Sequence, residues 1–156
     1  MFTRSATLRS TAIYHLHMGG PDADAIEWRA LMSPRFEGRL KGMGMRFVDS
    51  ALDADVMVVT GLLLSATLDD VLAEVAGLPT PAVLVAAGDN AINGGQWARL
   101  EMPGLDAHPL SHYADVQITV PGDPPTPQAL IAALAAAAEL IARPDEKLRS
   151  WTEDED

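Results

Sequence analysis

Cysteine is absent from all 156 residues, which removes disulfides, thiolate metal sites and a cysteine nucleophile together. Positive charge is scarce: 11 Lys and Arg stand against 22 Asp and Glu, a formal net charge of -11. Such a surface repels phosphate backbones, so nucleic acid is not expected as a partner. Long apolar runs are missing as well. None approaches the roughly 18 residues that a membrane-spanning helix needs, and the most apolar stretch, 129–142, is short and alanine-rich. Arg4 and Arg9 near the start are not joined to a continuous apolar segment with a small-residue cleavage site, so a secretory signal is not indicated and a cytoplasmic location is the expectation.

What is present suits a folded body. Hydrophobic residues make up 48% and charged residues 21%, ordinary values for a globular chain, so wholesale disorder is not expected. The length fits one domain with a core, expected over 1–143. Residues 144–156 form an acidic tail ending in Glu153, Asp154, Glu155 and Asp156, expected to be solvated.

Short apolar runs, partly β-branched, alternate with segments of helical period, the pattern of a parallel sheet covered on both faces. Strands are predicted at Thr11–Met18, Met45–Val48, Asp55–Thr60, Pro81–Ala87 and Val116–Val120. A helix is predicted over Asp24–Met32, with Asp24 as cap, Glu27 three residues on as in a capping box, and Pro34 stopping it. A second covers Leu68–Ala76, with Asp69 and Asp70 in the favourable first turn and Gly77 as C-cap. The last has Thr126 as N-cap, Pro127 at its first position and Leu130, Leu134 and Ile141 on one stripe, with Pro144 ending it. From Asn90 to Asp115 no periodicity is evident, and so long a loop is usually functional or an interface.

Sites in open parallel sheets form at the carboxyl ends of strands. Three loops stand there: Gly19-Gly20-Pro21-Asp22-Ala23-Asp24-Ala25-Ile26-Glu27, Gly88-Asp89-Asn90-Ala91-Ile92-Asn93-Gly94-Gly95, and Val120-Pro121-Gly122-Asp123-Pro124-Pro125. In order and spacing they resemble the cluster-binding loops C-x-x-C-D-I-E, G-D-C-A-x-N-G-G and V-P-G-C-P-P of the terminal iron–sulfur subunit of respiratory complex I and the small subunit of NiFe hydrogenases. Ser33-Pro34-Arg35-Phe36 and the strand Ala54-Asp55-Val56-Met57-Val58-Val59-Thr60-Gly61 extend the resemblance over about 11–142.

The resemblance implies a three-layer, flavodoxin-like α/β domain with a mostly parallel sheet. The family's four cluster cysteines fall on Pro21, Asp24, Asn90 and Asp123. A 4Fe–4S cluster needs thiolate ligands, so no cofactor is expected, and the chain looks like a cluster-less member such as those of energy-converting hydrogenase-related complexes. The implied function is that of a non-redox structural or coupling subunit, not catalytic by itself. The implied partners are a hydrogenase-like large subunit and antiporter-like membrane subunits, with the chain peripheral on the inner face of the membrane. The implied docking face includes Gly19, Gly20, Trp28, Asn93, Gly94, Gly95 and Trp97, with the core as an alternative place for both tryptophans.

Other readings stay open. Asp24, Asp89, Asn90 and Asp123 could converge on a hard cation in a stand-alone protein that reuses the vacated pocket. Alternatively, Asp24 caps a helix and Asp123 bonds loop amides. His15 and His17 share a strand face, as half of a metal site or as hydrogen-bonded structural residues. His108 and His112 would face one way only in a helix, which Pro109 disfavours. Gly88, Gly94 and Gly95 could cradle an anion, yet the lysine of a phosphate-binding loop is missing. Ser10, Ser50 and Ser111 read as ordinary loop or capping residues.

Overall fold

The structure, a computed structural model, describes residues 10–100 and 106–142. The acidic tail, Arg4, Arg9 and the helix stop at Pro144 lie outside the described residues. Five parallel strands, β1 (Thr11–His17), β2 (Met45–Phe47), β3 (Val56–Thr60), β5 (Val83–Ala87) and β7 (Ile118–Val120), form one sheet in the order β2-β1-β3-β5-β7. Counting these five alone, this is the 2-1-3-4-5 order of doubly wound, flavodoxin-like sheets. A small antiparallel pair, β4 (Leu63–Leu64) with β6 (Ala107–His108), stands apart from it.

Helices α1 (Ala23–Ala30), α2 (Pro34–Gly42) and α5 (Pro127–Ala142) cover one face, α3 (Leu68–Ala76) and α4 (Asp89–Asn93) the other. The two-residue period of the strands sorts the side chains between them. Val56, Val58, Val83 and Val85 join Trp28, Phe36, Leu40, Leu130 and Leu134 on the first face. Met57, Val59, Leu84 and Ala86 join Val71, Ala91 and Leu110 on the second. Leu130 and Leu134 of α5 are fully buried, which contributes roughly 1.5–3 kcal/mol each.

The last helix begins as the sequence predicts: Thr126 Oγ1 accepts the Ala129 N–H at 3.1 Å, and Pro127 opens the helix. Helix α3 matches its predicted span, with Gly77 as C-cap in right-handed rather than left-handed conformation. Two expectations are corrected. Asp22, not Asp24, is the N-cap of α1, without a side-chain capping bond, so Asp24 stands inside the first turn and is free to point at the sheet. The first helix ends earlier than expected, at Ala30, and Pro34 does more than follow it: Ser33 is the N-cap and Pro34 the first residue of α2, since proline's missing N–H costs nothing at that position. The stretch 90–115 is also less irregular than expected, holding the end of α4, helical turns at Gly95–Arg99 and Leu110–His112, and β6.

Candidate functional site

The carboxyl ends of β1, β5 and β7 meet at one edge of the sheet. Gly88 donates its N–H to Val120 O at 2.8 Å, where β5 and β7 end side by side. Asp89 and Gly122 then lock reciprocally. The Asp89 N–H donates to Gly122 O at 2.8 Å, and the Gly122 N–H donates to Asp89 Oδ1 at 2.9 Å. The loop amide assigned to Asp123 is therefore served by Asp89, and Asp123 itself is exposed. At the first turn of α4, both the N–H and the carboxylate of Asp89 thus meet the backbone of Gly122.

Asp24 of α1 and Asn90 of α4 face each other across this junction, only 1% and 3% exposed. Asn90 Nδ2 donates to Asp24 Oδ2 over a long 3.5 Å. Asp24 Oδ1 and Asn90 Oδ1 have no partner among the described residues. Burial, the neighbouring Asp123 carboxylate and, more weakly, Asp89 push the Asp24 carboxyl up to about 6, against the Asn90 hydrogen bond. The glycines around the pair are shaped by it. A Cβ at Gly88 would lie 2.5 Å from Asp24 Oδ2, and one at Gly95 would lie 2.5 Å from Asn90 Oδ1. A cavity of about 460 Å³ opens beside them, with Asp89, Asn93, Gly95, Arg99 and Asp123 among its walls.

The strand motif Ala54–Gly61 does structural work at both ends. Asp55 exchanges bonds with Ala12: its N–H donates to Ala12 O at 2.8 Å, and its Oδ2 accepts the Ala12 N–H at 2.9 Å. At the other end Thr60 Oγ1 lies 2.8 Å from His15 Nε2 and 2.9 Å from His17 Nδ1. One hydroxyl carries one proton, so it donates to one imidazole and accepts from the other, coupling their tautomers. Burial, with help from His17 and Arg29, lowers His15 to about 4, keeping it neutral. His15 thus takes its hydrogen-bonded structural role.

Trp28 is 0% exposed and packs in the core, its ring 5.3 Å from that of His15 and edge-on to Phe47 at 5.7 Å. It offers no surface to a partner, so its place is the core alternative. Trp97 is half-buried in the turn Gly95–Arg99. Gly20 and Asn93 are exposed, Gly19 half-buried, and Gly94 ends α4 in left-handed conformation. Pro21 is half-buried in the loop that leads into α1.

His108 and His112 lie on different elements, β6 and a helical turn. His108 instead meets Ser65 and Asp106, a cluster the sequence does not announce because 43 residues separate Ser65 from His108. Ser65 Oγ donates to Asp106 Oδ2 at 2.6 Å and lies 2.9 Å from His108 Nε2, which is 3.2 Å from the same carboxylate oxygen. That one nitrogen faces both partners leaves Nδ1 without, among the described residues, the orienting carboxylate a nucleophile relay requires. The Ser65 hydroxyl chiefly, with His108, holds Asp106 below the usual carboxylate range.

A doubly wound α/β domain with a loop-enclosed site at its strand ends is the class defined so far. Residues 15–137 match the family described as NADH ubiquinone oxidoreductase, 20 Kd subunit, and the chain belongs to it. It is 30% identical over 135 residues to a probable membrane-bound hydrogenase subunit, mbhJ, of Pyrococcus furiosus, covering 86% of this chain and 78% of that one. It is 29% identical to formate hydrogenlyase subunit 7 of Escherichia coli, over 85% of this chain and half of that one. Among solved structures it resembles a chain of the membrane-bound sulfane sulfur reductase, an archaeal respiratory membrane complex. The TM-score there is 0.70 at 22% identity, covering 95% of this chain and 84% of that one. A chain of an NAD+-reducing [NiFe]-hydrogenase gives 0.62 at 19% identity, covering 82% and 92%.

Iron–sulfur clusters of this kind are held by cysteine thiolates. The chain has none, and at the corresponding positions Pro21 has no donor while the Asp24 and Asn90 side chains lie against Gly88 and Gly95. The residues present do not fit a 4Fe–4S cluster.

Proposed function

We propose that this chain is a non-redox structural or coupling subunit of a membrane-bound complex related to complex I and the energy-converting hydrogenases. The supporting observation is a family fold whose three strand-end loops resemble the family's cluster loops yet carry Pro21, Asp24, Asn90 and Asp123 and no cysteine. Relatives are subunits of membrane-bound hydrogenase and related complexes. No helix among the described residues is long and apolar enough to cross a membrane, so attachment would come through partners.

The partners are a hydrogenase-like large subunit and antiporter-like membrane subunits, and the chain sits peripherally on the inner face. Docking uses the rim of the vacated site, through Gly19, Gly20, Asn93 and Trp97, while Gly94 is buried and Gly95 is pressed against Asn90. Half-buried Trp97 and exposed Gly20 suit a contact in which one aromatic side chain anchors and a glycine backbone is approached closely. Tagging the chain at its C-terminus, solubilising native membranes gently and identifying what co-purifies tests this. A hydrogenase-like large subunit with antiporter-like proteins is the expected result. Recovery wholly as a free protein would overturn it in favour of a stand-alone binding protein.

A further inference from the structure

We infer that a single exchangeable proton, held by Asp24 against Asn90, occupies the place where the family carries its cluster. The starting point is a mismatch in hydrogen bonding. Asp24 Oδ1 and Asn90 Oδ1 are both buried acceptors without a donor, and the only bond between the two side chains is 3.5 Å long. Orphaned buried acceptors are costly, and something electropositive must meet them.

A hard cation would need about six or more oxygens around it, several of them from the protein. Among the described residues no three His, Asp or Glu side chains converge as a metal site would require. A proton needs only one oxygen. Bound to Asp24, it turns an orphaned acceptor into a donor and removes a negative charge from a buried position. No bond other than O–H forms or breaks, and the proton comes from water and returns to it.

The groups acting on Asp24 from the packed elements support protonation. The carboxyl groups of Asp123, from the loop after β7, and Asp89, from α4, disfavour a charge on Asp24, and the Asn90 amide alone opposes them. Asp89 and Asp123 also line the adjoining cavity, together with Arg99, so both carboxyl groups that act on Asp24 stand at its solvent side. The site depends on the cluster being absent but not on docking, so it is testable on the isolated full chain.

The experiment is a titration of the aspartate side-chain carboxyls by carbon-13 NMR in the full chain, in wild type, Asp24→Asn and Asp123→Asn. Bulk stability against pH is a poor substitute, because His15 acts in the opposite direction. Burial raises Asp24 and lowers His15, so on acidification one group gains stability while the other loses it. Wild type should show one carboxyl with a midpoint near 6, absent in Asp24→Asn and moved down in Asp123→Asn. If every wild-type aspartate titrates below about pH 5, near its ordinary range, a water fills the gap and the proposal falls. It falls equally if submillimolar Mg2+ or Ca2+ abolishes the high midpoint, since a cation is then the ligand. Wild type alone decides these two outcomes should Asp24→Asn fail to fold.

Discussion

Replacing Gly88 by alanine separates two reasons for a glycine at this site. Gly88 has φ 93° and ψ 151°, a backbone conformation almost reserved for glycine, and forcing alanine into it costs about 1–3 kcal/mol. The new Cβ would also lie 2.5, 2.6 and 2.8 Å from the Asp24 Oδ2, Cγ and Oδ1 atoms. Asp24 is buried and cannot swing into solvent, so overpacking adds about 1–3 kcal/mol. The sum, about 2–6 kcal/mol, is a large share of the stability of an ordinary domain. In an Asp24→Ala background the steric part disappears and only the backbone part stays. Urea unfolding followed by tryptophan fluorescence, with buried Trp28 as reporter, gives the four corners of the cycle. A coupling of about 1–3 kcal/mol is expected. Additivity within about 0.5 kcal/mol would refute the claim that the carboxylate shapes this backbone.

Thr60→Val removes the hydroxyl bridging His15 and His17, leaves two ring nitrogens short of a partner, and should cost about 1–3 kcal/mol in the same unfolding assay. The His15 ring should stay neutral in proton NMR until pH falls towards about 4. Because the unfolded ring binds its proton near the ordinary value of 6.5 and the native ring only near 4, His15 withdraws stability as pH falls through that window. Anaerobic reconstitution with iron and sulfide should leave the protein without a 4Fe–4S cluster, checked by iron analysis and EPR of the reduced protein. Near-stoichiometric cluster iron would overturn the cluster-less reading.

The sheet was legible chiefly through its central strands, since Val56–Thr60 and Val83–Ala87 are short, wholly buried and almost entirely apolar runs flanked by Asp55, Gly61, Pro81 and Gly88, and strand pairing trims each predicted run by only one or two residues at its ends. Ser33-Pro34 misled for a definable reason. The same dipeptide that closes one helix opens the next, and only the space beside β2, filled by Phe36 and Leu40, decides for α2. The loop positions of Asp24, Asn90 and Asp123 were legible from the motif, but their roles were not. Which carboxylate reaches the Gly122 amide depends on the turn of α4, and Asp89 takes the bond assigned to Asp123. Similarly, His15 and His17 share a face by period alone, while Thr60 as their common partner comes from the register of β1 against β3, in which His17 pairs with Thr60.

The glycines also change what can be held to mark a docking face. If every unusual backbone position in the three loops were idle once a cluster is gone, all of them would speak for a retained contact. They are not idle: Gly88 and Gly95 make room for Asp24 and Asn90, so their presence follows from packing within the chain. Gly19 is different. Its φ is 129°, yet a Cβ there would meet nothing within 4 Å, so side-chain crowding within the described residues does not account for it. Its carbonyl instead accepts the Leu62 N–H at 3.0 Å, tying the first loop to the end of β3 and leaving Gly20 exposed at the rim. Exposed Asn93 and half-buried Trp97 stand on the rim as well, while Trp28 has withdrawn into the core. The proposed partner contact therefore belongs to the outer edge of the strand-end site, through Gly19, Gly20, Asn93 and Trp97. The floor of that site, Asp24 and Asn90 with the glycines pressed against them, is accounted for by this chain alone.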